Sequence, residues 1–216
     1  MRAVFGVVFL GLVLAIYATF NRVPAHEDTG GYYILAISWT PSWCAHEGDA
    51  RDDDRCAQGA GAGWLVHGLW PQNRDGTWPE FCDTPHPAPS RAQTARMVDI
   101  MGSSGLAWHQ WRKHGTCSGL RADAYFDATR RAFTALHMPP AASTRQDQQL
   151  PPSALIAALQ QANPSVQDDM AFMTCHSGNV QELRVCLDHD LKPGQCDPRT
   201  LQRACRAPTV TMPAMR

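Results

Sequence analysis

Eight cysteines constrain this chain more than any other feature: Cys44, Cys56, Cys82, Cys117, Cys175, Cys186, Cys196 and Cys205. They form no CxxC pair, and no His/Cys cluster has zinc-finger spacing, which disfavours a structural zinc. An even set of this kind reads as a disulfide framework, the mark of an oxidising compartment. The start of the chain points the same way. Arg2 precedes an uncharged run from Ala3 to Phe20, and Val23-Pro24-Ala25 has the small-residue pattern of a cleavage point. Residues 1–25 are expected to be an export signal, with an uncleaved membrane anchor as the alternative, because an apolar run of 18 residues lies near the lower limit for spanning. Residues 26–216 would then form the mature domain, in the periplasm or outside the cell. Eight cysteines admit roughly a hundred pairings, and spacing alone does not choose among them.

A chain of 216 residues suits one domain better than two, and 44% hydrophobic residues suffice for a sizeable core. Sixteen prolines and sixteen glycines imply many loops. The charge is nearly balanced, 19 basic against 20 acidic residues, and loss of Arg2 and Arg22 with the leader leaves 17 basic. There is no broad basic face, so a nucleic acid would have to be held by a local site. Asp52-Asp53-Asp54 could suggest a cation site, but between two cysteines it reads as a solvated loop.

Tyr32 to Trp39 (YYILAISW) is rich in β-branched and aromatic residues and reads as a buried strand closed by Pro41. Trp64 to His67 is a second strand, running into Gly68-Leu69-Trp70-Pro71, where glycine and proline stop regular pairing. Residues 72–90 read as loop. Helical spacing begins near Arg91, is interrupted at Ser103-Ser104-Gly105, and resumes near Leu106. It is clearest over 122–137, where Tyr125, Phe126, Thr129, Ala132, Phe133 and Leu136 form an inward stripe. A short helix is expected to start at Ser153 as N-cap, with Leu155, Ile156 and Leu159 inward. Ala171–Cys175 and Leu183–Leu187 read as strands. The whole is an α+β single domain.

The chemistry concentrates in two segments, Trp64-Leu-Val-His-Gly-Leu-Trp-Pro-Gln72 and Trp108-His-Gln-Trp-Arg-Lys-His-Gly-Thr-Cys117. If the second is helical, His109, Gln110, Lys113 and His114 share one face about 140° wide, with Trp111 and Arg112 projecting elsewhere. Two imidazoles, an ammonium and an amide suit an anion. The five-residue spacing of His109 and His114 is poor for chelation, and Lys113 would repel a cation, so metal-assisted hydrolysis is disfavoured and no cofactor is expected. A metal-free reaction using two histidines and a lysine is cleavage of RNA, which carries its own nucleophile, the 2′-hydroxyl. One neutral imidazole takes the 2′-proton, a protonated one serves the leaving oxygen, and cations stabilise the charge between them. Histidine fits both tasks because its unperturbed pKa is about 6.5.

His67-Gly-Leu-Trp-Pro71 and His109-Gln-Trp-Arg-Lys-His-Gly-Thr-Cys117 resemble the two active-site segments of the ribonuclease T2 family, and the likeness extends over roughly residues 30–206, including Glu182-Leu-Arg-Val-Cys186. The resemblance implies a disulfide-stapled α+β domain, a central antiparallel sheet flanked by helices, and endonuclease action on single-stranded RNA but not DNA. It implies His114 as general base, His67 as general acid, Lys113 stabilising transition-state charge and His109 holding the phosphate. Trp70 would stack on the base 5′ of the cleaved bond. It further implies the pairs Cys44–Cys56, Cys82–Cys117, Cys175–Cys205 and Cys186–Cys196. The chain departs from the pattern at Gln110, where the family usually has glutamate in the catalytic set, and at Gln72, where some members carry an aspartate that contacts the base. Base preference does not transfer. A weakened relative that binds RNA with little turnover is the competing reading, and a stapled structural domain with incidental histidines is another. A monomer is the default.

Overall fold

The computed structural model describes residues 31–139 and 146–216, so the expected leader, residues 1–25, lies outside the described residues. In chain order the elements are β1 (Tyr32–Trp39), α1 (Thr40–Trp43), β2 (Trp64–Gln72), α2 (Arg91–Ala95), α3 (Val98–Met101), α4 (Ser104–Lys113), α5 (Ala122–Thr134), β3 (Gln148–Leu150), α6 (Pro152–Ala162), β4 (Ala171–His176), β5 (Asn179–Leu187), α7 (Pro198–Leu201) and β6 (Val210–Met212). Short 3-10 and π turns fill 44–56 and 115–117.

β1 occupies the centre because both of its faces are apolar. Tyr33, Leu35 and Ile37 enter a core shared with Trp111 of α4 and with Tyr125 and Phe126 of α5. Tyr32 and Ile34, one step out of phase, meet Phe172 and Cys186 on the other face. β1 is antiparallel to β2 on one side and to β5 on the other, and β4 pairs with β5. β6 pairs with β3 and joins the sheet through one parallel bridge, Asn179 to Thr211. The α+β class and the helix-flanked antiparallel sheet are as expected.

β2 is longer than its residues indicate. Gly68 and Pro71 read as stops, yet the strand continues to Gln72. β2 is an edge strand, where a proline's missing N–H is tolerated. The strand also carries a bulge: Ala36 pairs with Gly68 and Ile37 with Val66, leaving His67 as the extra residue. A bulge resets alternation, so Val66 and Leu69, three apart, both enter the helix-side core.

The 91–101 stretch is two helices rather than one. Ser90 and Gln93 form a capping box on α2, and Gly102 at φ +76° ends α3. α5 buries Tyr125, Phe126, Thr129 and Ala132, ends at Thr134 and leaves Leu136 buried just beyond. α6 begins earlier than expected. Pro151 is the N-cap and Pro152 the first helical residue, so Ser153 lies inside the helix; proline's fixed φ suits that first turn. Leu155 and Leu159 are buried, as their spacing requires. The acidic triplet sits in short helical turns, with Asp53 held by Arg55 at 2.7 Å. α1, β3 and β6 were not foreseen, being too short to carry a period. All eight cysteines are paired, in the four pairs implied by the resemblance. Among the described residues no helix is long and apolar enough to cross a membrane.

Candidate active site

Three adjacent strands supply the first half of the site. Ala36 of β1 pairs with both Gly68 of β2 and Arg184 of β5, a row with little side-chain bulk in its middle. The Arg184 guanidinium lies 5.0 Å from the centre of the Trp70 ring. Two residues before Arg184, on the same face, Glu182 is buried at 3% exposure. One of its oxygens lies 2.6 Å from His67 Nδ1 and accepts from Ser38 Oγ at 3.2 Å. The other accepts from Arg184 Nε and Nη2 at 2.8 and 2.7 Å. Burial by itself would raise this carboxyl, but the charges and hydrogen bonds of His67 and Arg184 outweigh it and hold it at about 2. An ionised Glu182 can only accept, so His67 Nδ1 carries a proton whether or not Nε2 does, and Nε2 is left to give or take one in the chemistry.

α4 supplies the second half. Ser103 Oγ accepts from the Leu106 N–H at its start, and Trp111 anchors it in the core against Tyr125, ring centres 5.7 Å apart. His109 and Lys113 lie on its open side, whereas Gln110 is buried. His114 stands where the helix ends, at φ −119°. The four side chains therefore do not form one flat face. His109 and Lys113 look outward, and Gln110 and His114 turn in towards Trp70. Gln110 Oε1 accepts from Trp70 Nε1 at 2.8 Å; an indole only donates, which settles the orientation of the amide. A Cβ on Gly68 would overlap both partners of this bond.

Trp70 is the hub. Its ring centre is 5.2 Å from that of His67, nearly perpendicular, and 5.2 Å from that of His114, tilted by 31°. His114 is 4% exposed, and among the described residues its Nδ1 has no hydrogen-bond partner. Burial, and then the charges of Lys113, His67 and His109, push its pKa down to about 3. His109 is lowered too, first by desolvation and then by Lys113, His67 and Arg112. Lys113 Nζ lies 3.2 Å from Glu80. The loop carrying Glu80 is tied down by the Phe81 N–H donating to Lys113 O at 2.8 Å and by Cys82–Cys117. A cavity of about 790 Å³ opens beside these groups, lined among others by Ser38, His67, Leu106, His109, His176 and Glu182.

Six of the seven side chains singled out from the sequence thus converge: His67, Trp70, His109, Gln110, Lys113 and His114. Gln72 stands apart, buried, its amide donating to Pro71 O at 2.8 Å. Glu182 and Arg184 entered the sequence reading only as part of the resembling segment, without a site role, and Glu80 escaped it. Two opposite charges at i, i+2, either side of Leu183 in β5, were the available signal for the first two.

The family model described as the ribonuclease T2 family matches residues 30–196. A probable ribonuclease of Haemophilus influenzae is 29% identical over 199 residues, covering 84% of this chain and 69% of that protein. A ribonuclease of Aeromonas hydrophila is 38% identical over 116 residues, 53% of this chain and 50% of that protein. Among solved structures, an RNase-related protein from Calystegia sepium shares the fold with a TM-score of 0.68 at 19% identity, covering 86% of this chain and 98% of that one. Both histidine segments and Glu182 fall inside the matched stretch, and on that breadth of agreement the chain belongs to the ribonuclease T2 family.

Proposed function

We propose that this chain is an endoribonuclease that cleaves single-stranded RNA, and not DNA, by metal-independent acid–base transphosphorylation. The observation that carries the reading is the unequal treatment of two imidazoles on either side of Trp70. His67 is held by a buried carboxylate at 2.6 Å, while His114 is buried without one and kept neutral above about pH 3.

In the first step neutral His114 takes the proton of the 2′-hydroxyl. The 2′-oxygen bonds to phosphorus, the bond from phosphorus to the 5′-oxygen breaks, and the His67 Nε2 proton goes to that oxygen. Lys113 stabilises the charge on the phosphoryl oxygens and His109 holds the phosphate; Glu80 yields Lys113 to it. The product is a 2′,3′-cyclic phosphate. In the second step the histidines exchange roles and water opens the ring to a 3′-phosphate. The half-buried Trp70 offers its open part to the base 5′ of the cut, a contact tolerant of sequence. Gln72 would reach a base only by giving up its bond to Pro71. Gln110 cannot relay a proton as a carboxylate can; here it fixes Trp70, and its NH2 remains a donor for a phosphoryl oxygen.

Residues 1–25 are proposed as the export leader and 26–216 as the catalytic domain, working as a monomer in the periplasm or outside the cell. Four disulfides support that location. The test is digestion of RNA and DNA by purified protein in excess chelator. RNA cut to 2′,3′-cyclic or 3′-phosphate ends, with DNA intact, is the expected result. Loss of activity with chelator, or equal attack on DNA, overturns it. RNA binding with negligible turnover would favour the weakened relative, the reading that Gln110 motivates.

A further inference from the structure

We infer that Trp108, Arg112 and Phe81 form a stacking site for unpaired bases beyond the two that flank the scissile phosphate, so that the preferred substrate is a single strand longer than a dinucleotide. The inference rests on the ribonuclease reading and extends it to RNA beyond the cleaved bond.

Among the described residues four large apolar side chains are exposed, Trp78, Phe81, Val98 and Trp108, and Phe81 is the most open at 50%. Phe81 and Trp108 converge on one guanidinium: the Arg112 Cζ lies 5.6 Å from the centre of the first ring and 5.5 Å from the second. Trp108 and Arg112 are four apart on α4 and form the stripe next to His109 and Lys113, about 100° around the helix. Arg112 is close enough for its charge to act on His109. Phe81 is brought there by its N–H bond to Lys113 O and by the neighbouring Cys82–Cys117 bridge. The elements that place the phosphate-handling groups therefore place the two rings as well.

Packing does not account for this face. Trp111 already anchors α4 in the core, so Trp108 is not needed there. Phe81 sits at φ +52°, a left-handed conformation that a bulky side chain rarely adopts and that tends to persist where a side chain must be presented. Exposed contiguous aromatic surface marks a binding site. Every base has a π-face that stacks on such rings, and an interleaved arginine adds attraction to the backbone. The chain has a net charge of −1, so this attraction is local, and Arg112 adds its charge to that of Lys113.

The experiment compares kcat/KM on an unstructured dodecanucleotide with kcat/KM on a dinucleoside monophosphate, for wild type, Trp108→Ala, Phe81→Ala and the double variant. The ratio of the two is expected to fall about tenfold when one stack is lost and further in the double variant. Arg112→Gln should in addition flatten the salt dependence of oligonucleotide binding by about 0.7 in log–log slope. An unchanged ratio with an active wild type overturns the inference alone. A wild type inert on both substrates overturns the catalytic reading, and this inference with it.

Discussion

His114 and Glu182 are both buried ionisable groups, and the protein keeps them in opposite charge states. Among the described residues no carboxylate pairs with His114, and burial, then the charges of Lys113, His67 and His109, leave it neutral down to about pH 3. Glu182 is held by the His67 ring and the Arg184 guanidinium and stays ionised down to about 2. The rate of the first step should therefore persist into acid, with the His114 limb of the kcat/KM profile near pH 3. In Gln110→Glu the new carboxylate would accept the same Trp70 bond beside His114, raise its pKa and move that limb upward by about one unit or more. A pH profile of both proteins checks this; an identical limb would refute it. Glu182→Gln should lower kcat by about 10²-fold or more with a smaller change in KM, because the tautomer and aim of His67 are lost while the phosphate ligands remain. Steady-state kinetics on a dinucleotide separate the two parameters. His67 and its helix partners were legible in the sequence because each lies in a dense local motif. Glu182 was not, because it lies 115 residues from His67, and only the pairing of both strands with β1 brings the two together.

The elements explain why the motif residues meet as they do. The bulge at His67 inserts one residue into an edge strand, and Trp70 then falls beside His67 on the site face while Leu69 remains in the core. Gly68 read as a strand breaker, but its function is clearance for the Gln110–Trp70 bond. Gly68→Ala should cost about 1–3 kcal/mol by overpacking, a drop of several degrees in Tm for a domain of this size, together with loss of activity as Trp70 is displaced. Calorimetry and a rate assay measure the two effects; unchanged Tm would mean that Gln110 can move aside. At α4, a uniform helical wheel put four polar residues on one face, whereas the helix ends at His114 and lets that ring turn in. Periodicity cannot register where a helix stops, since termination here depends on the turn that leads to Cys117.

Across the whole molecule, the same two buried groups link stability to pH. The unfolded chain takes up a proton on His114 below about pH 6.5 and on Glu182 below about pH 4.3, whereas the folded protein does so only near 3 and 2. The unfolded state binds more protons throughout that interval, so stability is greatest above about pH 6.5 and declines as the pH falls towards 2. Denaturant midpoints at pH 7, 5 and 3 should fall in that order, and more gently in His114→Gln. A flat series would show that these groups are solvated in the native state. The disulfides leave this slope unchanged, since none of the four titrates.

Composition, cysteine count and two dense motifs were enough to name the class of fold, the family resemblance and seven candidate side chains, of which six converge. The motifs are local, each written within about ten consecutive residues. The carboxylate behind His67, the arginine beside Trp70, the lysine's acidic partner and the inward turn of His114 came only with the tertiary structure. They arise from strand register, a one-residue bulge and the end of a helix, which bring together residues that no local pattern in the chain connects.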